Sequence, residues 1–130
     1  MKTVKLIVSI LFGLLFLISG LNKLFPYMPM PDFTESQMEM FGHFMAITWL
    51  FPLVAVVEII GAILFVIPKW RALGALIVLP ITVGIILHHI TIEPSGLILT
   101  IVLFGINIWI IADNWNKYKN LGVNFIKSPI

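Results

Sequence analysis

The sequence predicts an all-α protein: an integral membrane four-transmembrane-helix bundle with both termini cytoplasmic and a longer outer loop between helices one and two. Three observations carry this. First, 60% of the 130 residues are hydrophobic and 11% are charged, against roughly 45–50% and about 25% in a soluble domain. Mean hydropathy is +1.09. A water-soluble domain of this size leaves too much surface exposed to hide so many apolar side chains, so the bilayer must be the solvent. Second, four apolar runs of about 16 to 22 residues follow one another, close to the roughly 20 needed to cross a bilayer. Third, the basic residues sort to one side of those runs. Length allows a single domain over residues 1–130, and the shortage of charge excludes disorder.

Helix one comes from Leu6–Leu21, flanked by Lys5 and Lys23. Its basic start and short apolar core resemble a secretory signal. No small-x-small cleavage site precedes a soluble domain, however, so we read it as a retained helix over about 6–24. Spans two, three and four cover about 46–67, 72–92 and 96–112. With a cytoplasmic N-terminus, Lys2, Lys5, Lys69, Arg71, Lys117, Lys119 and Lys127 lie inside, seven of the eight basic residues. Only Lys23 falls outside, with Asp32, Glu35, Glu39 and Glu93. Tyr27 and Trp49 then sit near the outer interface, and Trp70, Trp115 and Tyr118 near the inner one, where amphipathic rings prefer to be. The net charge of +2 and the pI near 9.1 therefore reflect topology and do not point to nucleic acid.

Short turns at Pro68–Arg71 and Glu93–Ser95 make spans two and three, and three and four, antiparallel neighbours. The outer loop opens with Pro26, Pro29 and Pro31, which disfavour helix. Its second part, Ser36–Met45, suits a short interfacial helix, lying on the outer surface or capping the bundle. Pro52 and Pro80 fall inside spans two and three and should kink or break them. No internal repeat or low-complexity tract is present.

At about 100° per residue, Ser9, Gly13, Phe16, Gly20 and Lys23 share a stripe of helix one. Ala55, Glu58, Gly61 and Ala62 share one on helix two. Small residues let helices approach closely in lipid, so both stripes should face the bundle. Gly96, Thr100 and Asn107 align on helix four. Thr82 and His89 share a face of helix three, while His88 lies on the stripe with Gly84.

Glu58 is the most informative residue. An ionised acid deep in a membrane helix costs at least about 2.5–3.5 kcal/mol, and burial favours its neutral form unless a cation or several donors stand near. It reads either as a proton-handling, substrate-gripping or quinone-bonding carboxyl, or as a structural acid that fixes helix register. Lys23 is a candidate partner. At about 1.5 Å per residue Glu58 should lie over 10 Å further in, so Lys23 is expected to snorkel outward as an interfacial anchor. His88 and His89 diverge by about 100° and cannot chelate one ion together. One is expected to face the bundle and the other the interface, and no ligand spacing predicts a metal site. A histidine there remains able to pass protons to a ligand. Asn107 reads mainly as an interhelical hydrogen bond. The absence of cysteine excludes a disulfide framework, a thiolate metal site, a dithiol redox pair and a Cys lipid anchor. No phosphate-binding glycine loop, Ser-His-Asp set or basic patch with stacking aromatics is present, so a nucleotide-dependent or hydrolytic enzyme acting alone is not expected.

The run Gly20-Leu21-Asn22-Lys23-Leu24-Phe25, then Met28-Pro29-Met30-Pro31, is similar to the first helix and outer loop of the DoxX family. Pro52 through Gly61, with its embedded acid, and Pro80 through His89 followed by Ile92-Glu93-Pro94, resemble the family's later motifs. The likeness spans nearly the whole chain. It implies a multi-pass protein of a prokaryotic cytoplasmic membrane, in some relatives linked to quinone-dependent thiosulfate oxidation or to membrane redox complexes. The matching polar positions are Lys23, Glu58 and His89. The chain departs at Gly84, where relatives often carry Asn. The leading expectation is a quinone- or lipid-interacting subunit with no intrinsic cofactor, a redox protein partner or a homo-oligomeric state, and Glu58 and His89 as polar contacts in an apolar pocket. Two rivals stay open. One is a small proton-coupled transporter, similar to small multidrug exporters although those carry the acid in helix one. The other is an assembly or scaffold subunit with Glu58 as interhelical glue.

Overall fold

The computed structural model describes residues 2–25, 32–92 and 94–127. The expectations for Pro26, Tyr27, Met28, Pro29, Met30, Pro31 and Glu93 lie outside the described residues. Six α-helices occur among them: α1 (Lys2–Leu24), α2 (Glu35–Ala46), α3 (Leu50–Val66), α4 (Arg71–Thr91), α5 (Leu97–Asp113) and α6 (Trp115–Lys127). A short 3-10 turn, Pro94–Gly96, precedes α5. No strand is present among the described residues. Helices α1, α4 and the turn with α5 are each long and apolar enough to cross a membrane, and α2 with α3 makes a fourth if that bent pair is one span. The protein is thus an all-helical membrane protein with three to four candidate spans.

The apolar run from Ala46 to Ile67 is not one straight helix. Residues 47–49 form a turn, α3 starts at Leu50, and α2 meets α3 at 87°. Pro52 explains the position of the break. In the first turn of α3 its missing N–H is no loss, whereas further inside it would break the ladder. Pro80, by contrast, neither breaks nor ends α4, which continues through it. Prolines are tolerated this way in membrane helices, where neighbouring groups satisfy the freed backbone.

Helix α2 stands where the outer loop was expected to carry one. Thr34 starts it with a capping box: Gln37 N donates to Thr34 Oγ1 at 3.3 Å, and Thr34 N donates to Gln37 Oε1 at 2.9 Å. The spacing Thr34-Glu35-Ser36-Gln37 is the sequence signal for it.

In the bundle, α1 packs chiefly on α3, α3 on α4, and α4 on α5. The buried residues of α1 are Ser9, Phe12, Gly13, Phe16 and Gly20, and those of α3 are Ala55, Glu58, Gly61, Ala62 and Phe65. These are the small-residue stripes that sequence periodicity marks. Glycine is needed here for proximity. A Cβ on Gly20 would fall 3.0 Å from Ala55 O, and one on Gly74 would fall 2.5 Å from Phe65 N. Phe12 fills the space beside them, stacked on Phe65 at 4.3 Å between ring centres.

Polar groups inside the bundle are paired. Thr82 Oγ1 donates to Asn107 Oδ1 at 2.8 Å, and Asn107 Nδ2 donates to Ala75 O at 3.0 Å, stapling α5 to α4. Arg71 is buried and closes the end of α3: its Nε donates to Phe65 O at 2.9 Å and its Nη2 to Val66 O at 3.2 Å. These carbonyls belong to the last turn, which has no intrahelical donors. At the same end Lys5 pairs with Asp113. Tyr118 Oη, on α6, donates to Ala72 O at 2.7 Å. Burial pushes this phenol's pKa up, so it keeps the proton it donates. Ser9 Oγ is the one buried side-chain oxygen or nitrogen without a partner among the described residues.

Three outcomes follow for thermal unfolding in detergent. Gly74→Val overfills the α3–α4 contact and costs about 1–3 kcal/mol, whereas Gly105→Ala, with nothing within 4 Å of its new Cβ, stays within about 0.5 kcal/mol of the parent. Ser9→Ala removes an unsatisfied hydroxyl and raises stability by roughly 1 kcal/mol. A loss on Ser9→Ala would mean that the hydroxyl has a partner after all.

Candidate functional site

Helices α1 to α4 converge on a cavity of about 710 Å³. Its polar end is built by α1, which brings Ser19 and Lys23, and by α3, which brings Glu58. Helix α4 adds His88 and His89, and α2 roofs the space with Gln37, Phe41 and Phe44. The remaining wall is apolar, with Val54 of α3 and Ile81 and Ile85 of α4 among its members.

Lys23 and Glu58 form an ion pair, contrary to the expectation that depth would separate them. Lys23 Nζ lies 3.2 Å from Glu58 Oε1 and 3.1 Å from Oε2, and donates to Ser19 Oγ at 2.8 Å. The depth estimate assumed that α1 and α3 end level. They do not: Gly20 of α1 sits against Ala55 and Glu58 of α3, so Lys23 is only one turn from the level of the carboxylate. Its side chain points inward, not out to the interface. The Glu58 side chain is 2% exposed and that of Lys23 is 25%. An ammonium has three N–H groups, and these three acceptors match them.

The histidine expectation is also corrected, because both rings line the cavity. Residues 80, 84 and 88 form one stripe of α4 and 81, 85 and 89 the next, so the cavity wraps over about 100° of the helix surface and takes in both. His89 Nδ1 lies 2.9 Å from Ile85 O. A carbonyl only accepts, so Nδ1 carries the proton. The opposite edge of that ring rests on Gly96, where a Cβ would come within 2.6 Å of Nε2. His88 stands between Phe44 of the roof, at 6.1 Å between ring centres, and His89, at 5.3 Å.

Asn107 does not line the cavity. It is the α4–α5 staple described above, as its interhelical reading anticipated. Among the described residues no three His, Cys, Asp or Glu side chains are grouped to hold a metal ion.

Sequence reasoning missed several residues that shape the site. Ser19 is one turn before Lys23, and that i, i+4 spacing was a usable signal. Gln37 and the roof phenylalanines lay in the segment expected to form a helix on the outer surface or over the bundle, but nothing local marked these side chains as cavity lining. Gly96 was seen as a face residue, but its contact with His89 depends on the turn at Pro94–Gly96.

The architecture defines a class: a small membrane helix bundle with a charge-compensated polar pocket beneath an aromatic roof. The family model described as DoxX matches residues 4–91, more than half of the chain. The protein therefore belongs to the DoxX family, and the matched segment includes every cavity residue named above. No curated protein and no solved structure matches the chain.

The ion pair has a measurable signature. Lys23→Met leaves Glu58 buried without its cation and costs about 3 kcal/mol, the low end for a broken buried pair because Lys23 is partly exposed. Adding Glu58→Met should restore most of that loss, as a double-mutant cycle on thermal unfolding would show. Simple additivity of the two losses would mean the charges are not coupled.

Proposed function

We propose that this DoxX-family protein is a multi-pass membrane subunit that holds a neutral lipid-soluble ligand, a quinone foremost, in the cavity and works beside a redox partner. The observation that carries the reading is the cavity's composition. Phe33, Phe41, Phe44 and Phe51 give it an aromatic wall, and Lys23, Glu58, His88 and His89 are the ionisable side chains that line it. An apolar space with a few convergent polar groups is the usual form of a small-molecule site. Quinone carbonyls accept hydrogen bonds, and the Lys23 ammonium, the His88 imidazole and the Gln37 amide, which line the cavity, are groups that carry N–H donors. A bound quinone would carry the electrons. The chain's own part would be to orient the ring and exclude water, with electrons arriving from a partner, since the chain has no cysteine.

The compensated carboxylate favours this reading over a transporter for cations. Glu58 already accepts two bonds from Lys23, so a cationic substrate would have to displace that ammonium. For topology, we propose four spans with both termini cytoplasmic in a prokaryotic cytoplasmic membrane. Lys2, Lys5, Lys69, Arg71, Lys117 and Lys119 support it, because they fall at the start of α1, in the α3–α4 turn or at the start of α4, and just after α5.

The test is extraction and mass spectrometry of the protein purified in mild detergent, beside a Glu58→Gln, His89→Ala variant. Stoichiometric quinone in the parent and its loss from the variant is the expected result. Quinone absent, or equal in both, removes the quinone assignment and moves the function to scaffolding. A C-terminal tag should be unreachable from outside intact cells, and labelling there would overturn the orientation.

A further inference from the structure

The cavity is not equally closed on all sides. Its roof is aromatic: Phe41 and Phe44 of α2 meet Phe51 of α3 at 5.7 and 6.2 Å between ring centres, and Phe44 meets His88. Its polar end is held by the Lys23–Glu58 pair, and His89 rests on the turn before α5. The wall at Pro80 and Gly84 differs. Both residues line the cavity and both are exposed, and a Cβ added to Gly84 would meet nothing within 4 Å. The cavity therefore has a gap in its side at this point.

The surroundings of that gap say what can reach it. Leu76, Val83, Leu87 and Ile90 are exposed along the same side of α4, with the three- and four-residue spacing of one helix face. On a spanning helix such an apolar exposed face is the lipid face. Pro80 is close to the middle of α4, Arg71–Thr91, about 15 Å from either end. At that depth a bilayer offers hydrocarbon, not water. A water-soluble molecule has no route to this opening. The charge inside points the same way: among the described residues the only Asp, Glu, Lys or Arg side chains lining the cavity are Lys23 and Glu58, and their formal charges cancel.

We propose that the cavity is entered sideways from the bilayer, through the gap beside Gly84, by a neutral amphiphile. Its polar head reaches the Lys23–Glu58 pair and the two imidazoles, and its apolar tail leaves through the gap to lie along the lipid face of α4. Gly84 is then a specificity residue, because its missing side chain is the space the tail occupies. This rests on the quinone-binding reading above and adds to it the route and the place of the tail.

Two quinones with the same ring test it, one bearing a long isoprenoid tail and one a methyl group in its place. Both are offered to the full chain in lipid nanodiscs until binding reaches equilibrium, so that a narrowed gap slows the ring without excluding it, and retained probe is counted by mass spectrometry. Wild-type protein should retain both. Gly84→Trp should lose the tailed probe by roughly tenfold or more, the scale expected for overfilling a packed space, while keeping the ring-only probe. Gly84→Leu should fall between, and Leu76→Trp, on the same face but off the gap, should behave as wild type. Thermal unfolding of each variant shows that it is folded. Unchanged retention of the tailed probe by Gly84→Trp overturns the side entrance alone. Equal loss of both probes also overturns it, since Gly84 would then border the head and not the tail. Failure of the wild-type protein to retain either probe overturns the quinone reading itself.

Discussion

A polar group inside a bilayer has no water to fall back on, so each one must find its partner within the protein. That constraint organises the molecule. Asn107, Thr82 and the Ala75 carbonyl satisfy one another and so join α4 to α5. Arg71 spends its donors on the last carbonyls of α3 and so fixes the turn into α4. Lys23, Ser19 and Glu58 satisfy one another between α1 and α3. Each polar cluster is thus also a joint. Apolar packing supplies the rest.

Small residues decide how those joints can be made. Gly13 and Gly20 bring α1 against α3, and Gly61 and Gly74 bring α3 against α4. The same contacts set the vertical offset between helices. With Gly20 held against Ala55, the end of α1 is brought down beside Glu58, and an acid deep in the span gains a cation from near a helix end. The cavity opens above that pair, where α2 folds back across α3 at 87°. Backbone proximity, ion pair and cavity form one chain of cause.

The fold was legible in the sequence to the extent that it is periodic. Apolar runs marked the long helices, and the buried stripes Ser9–Gly13–Phe16–Gly20 and Ala55–Glu58–Ala62 follow from helical spacing alone. Glu58 and His89 stood out by chemistry, and both line the cavity. What could not be read was anything set by relative position along the bundle axis. Lys23 was placed outward because helix ends were assumed level. His88 and His89 were assigned to opposite environments because the breadth of the cavity on α4 is a tertiary property. Helix α6 carries no long apolar run, and its tie from Tyr118 to Ala72 joins residues 46 apart in sequence.

The three bonds of Lys23 give the site a threshold. With Ser19 and both oxygens of Glu58 already served, the ammonium has no idle donor to offer a visitor. A visiting acceptor gains a bond from it only as one of these opens. On the reading proposed above, the pair would act as a latch whose resting position is shut. Arginine in the same place would spoil it, since its planar fork carries five donors and would leave two seeking whatever came near.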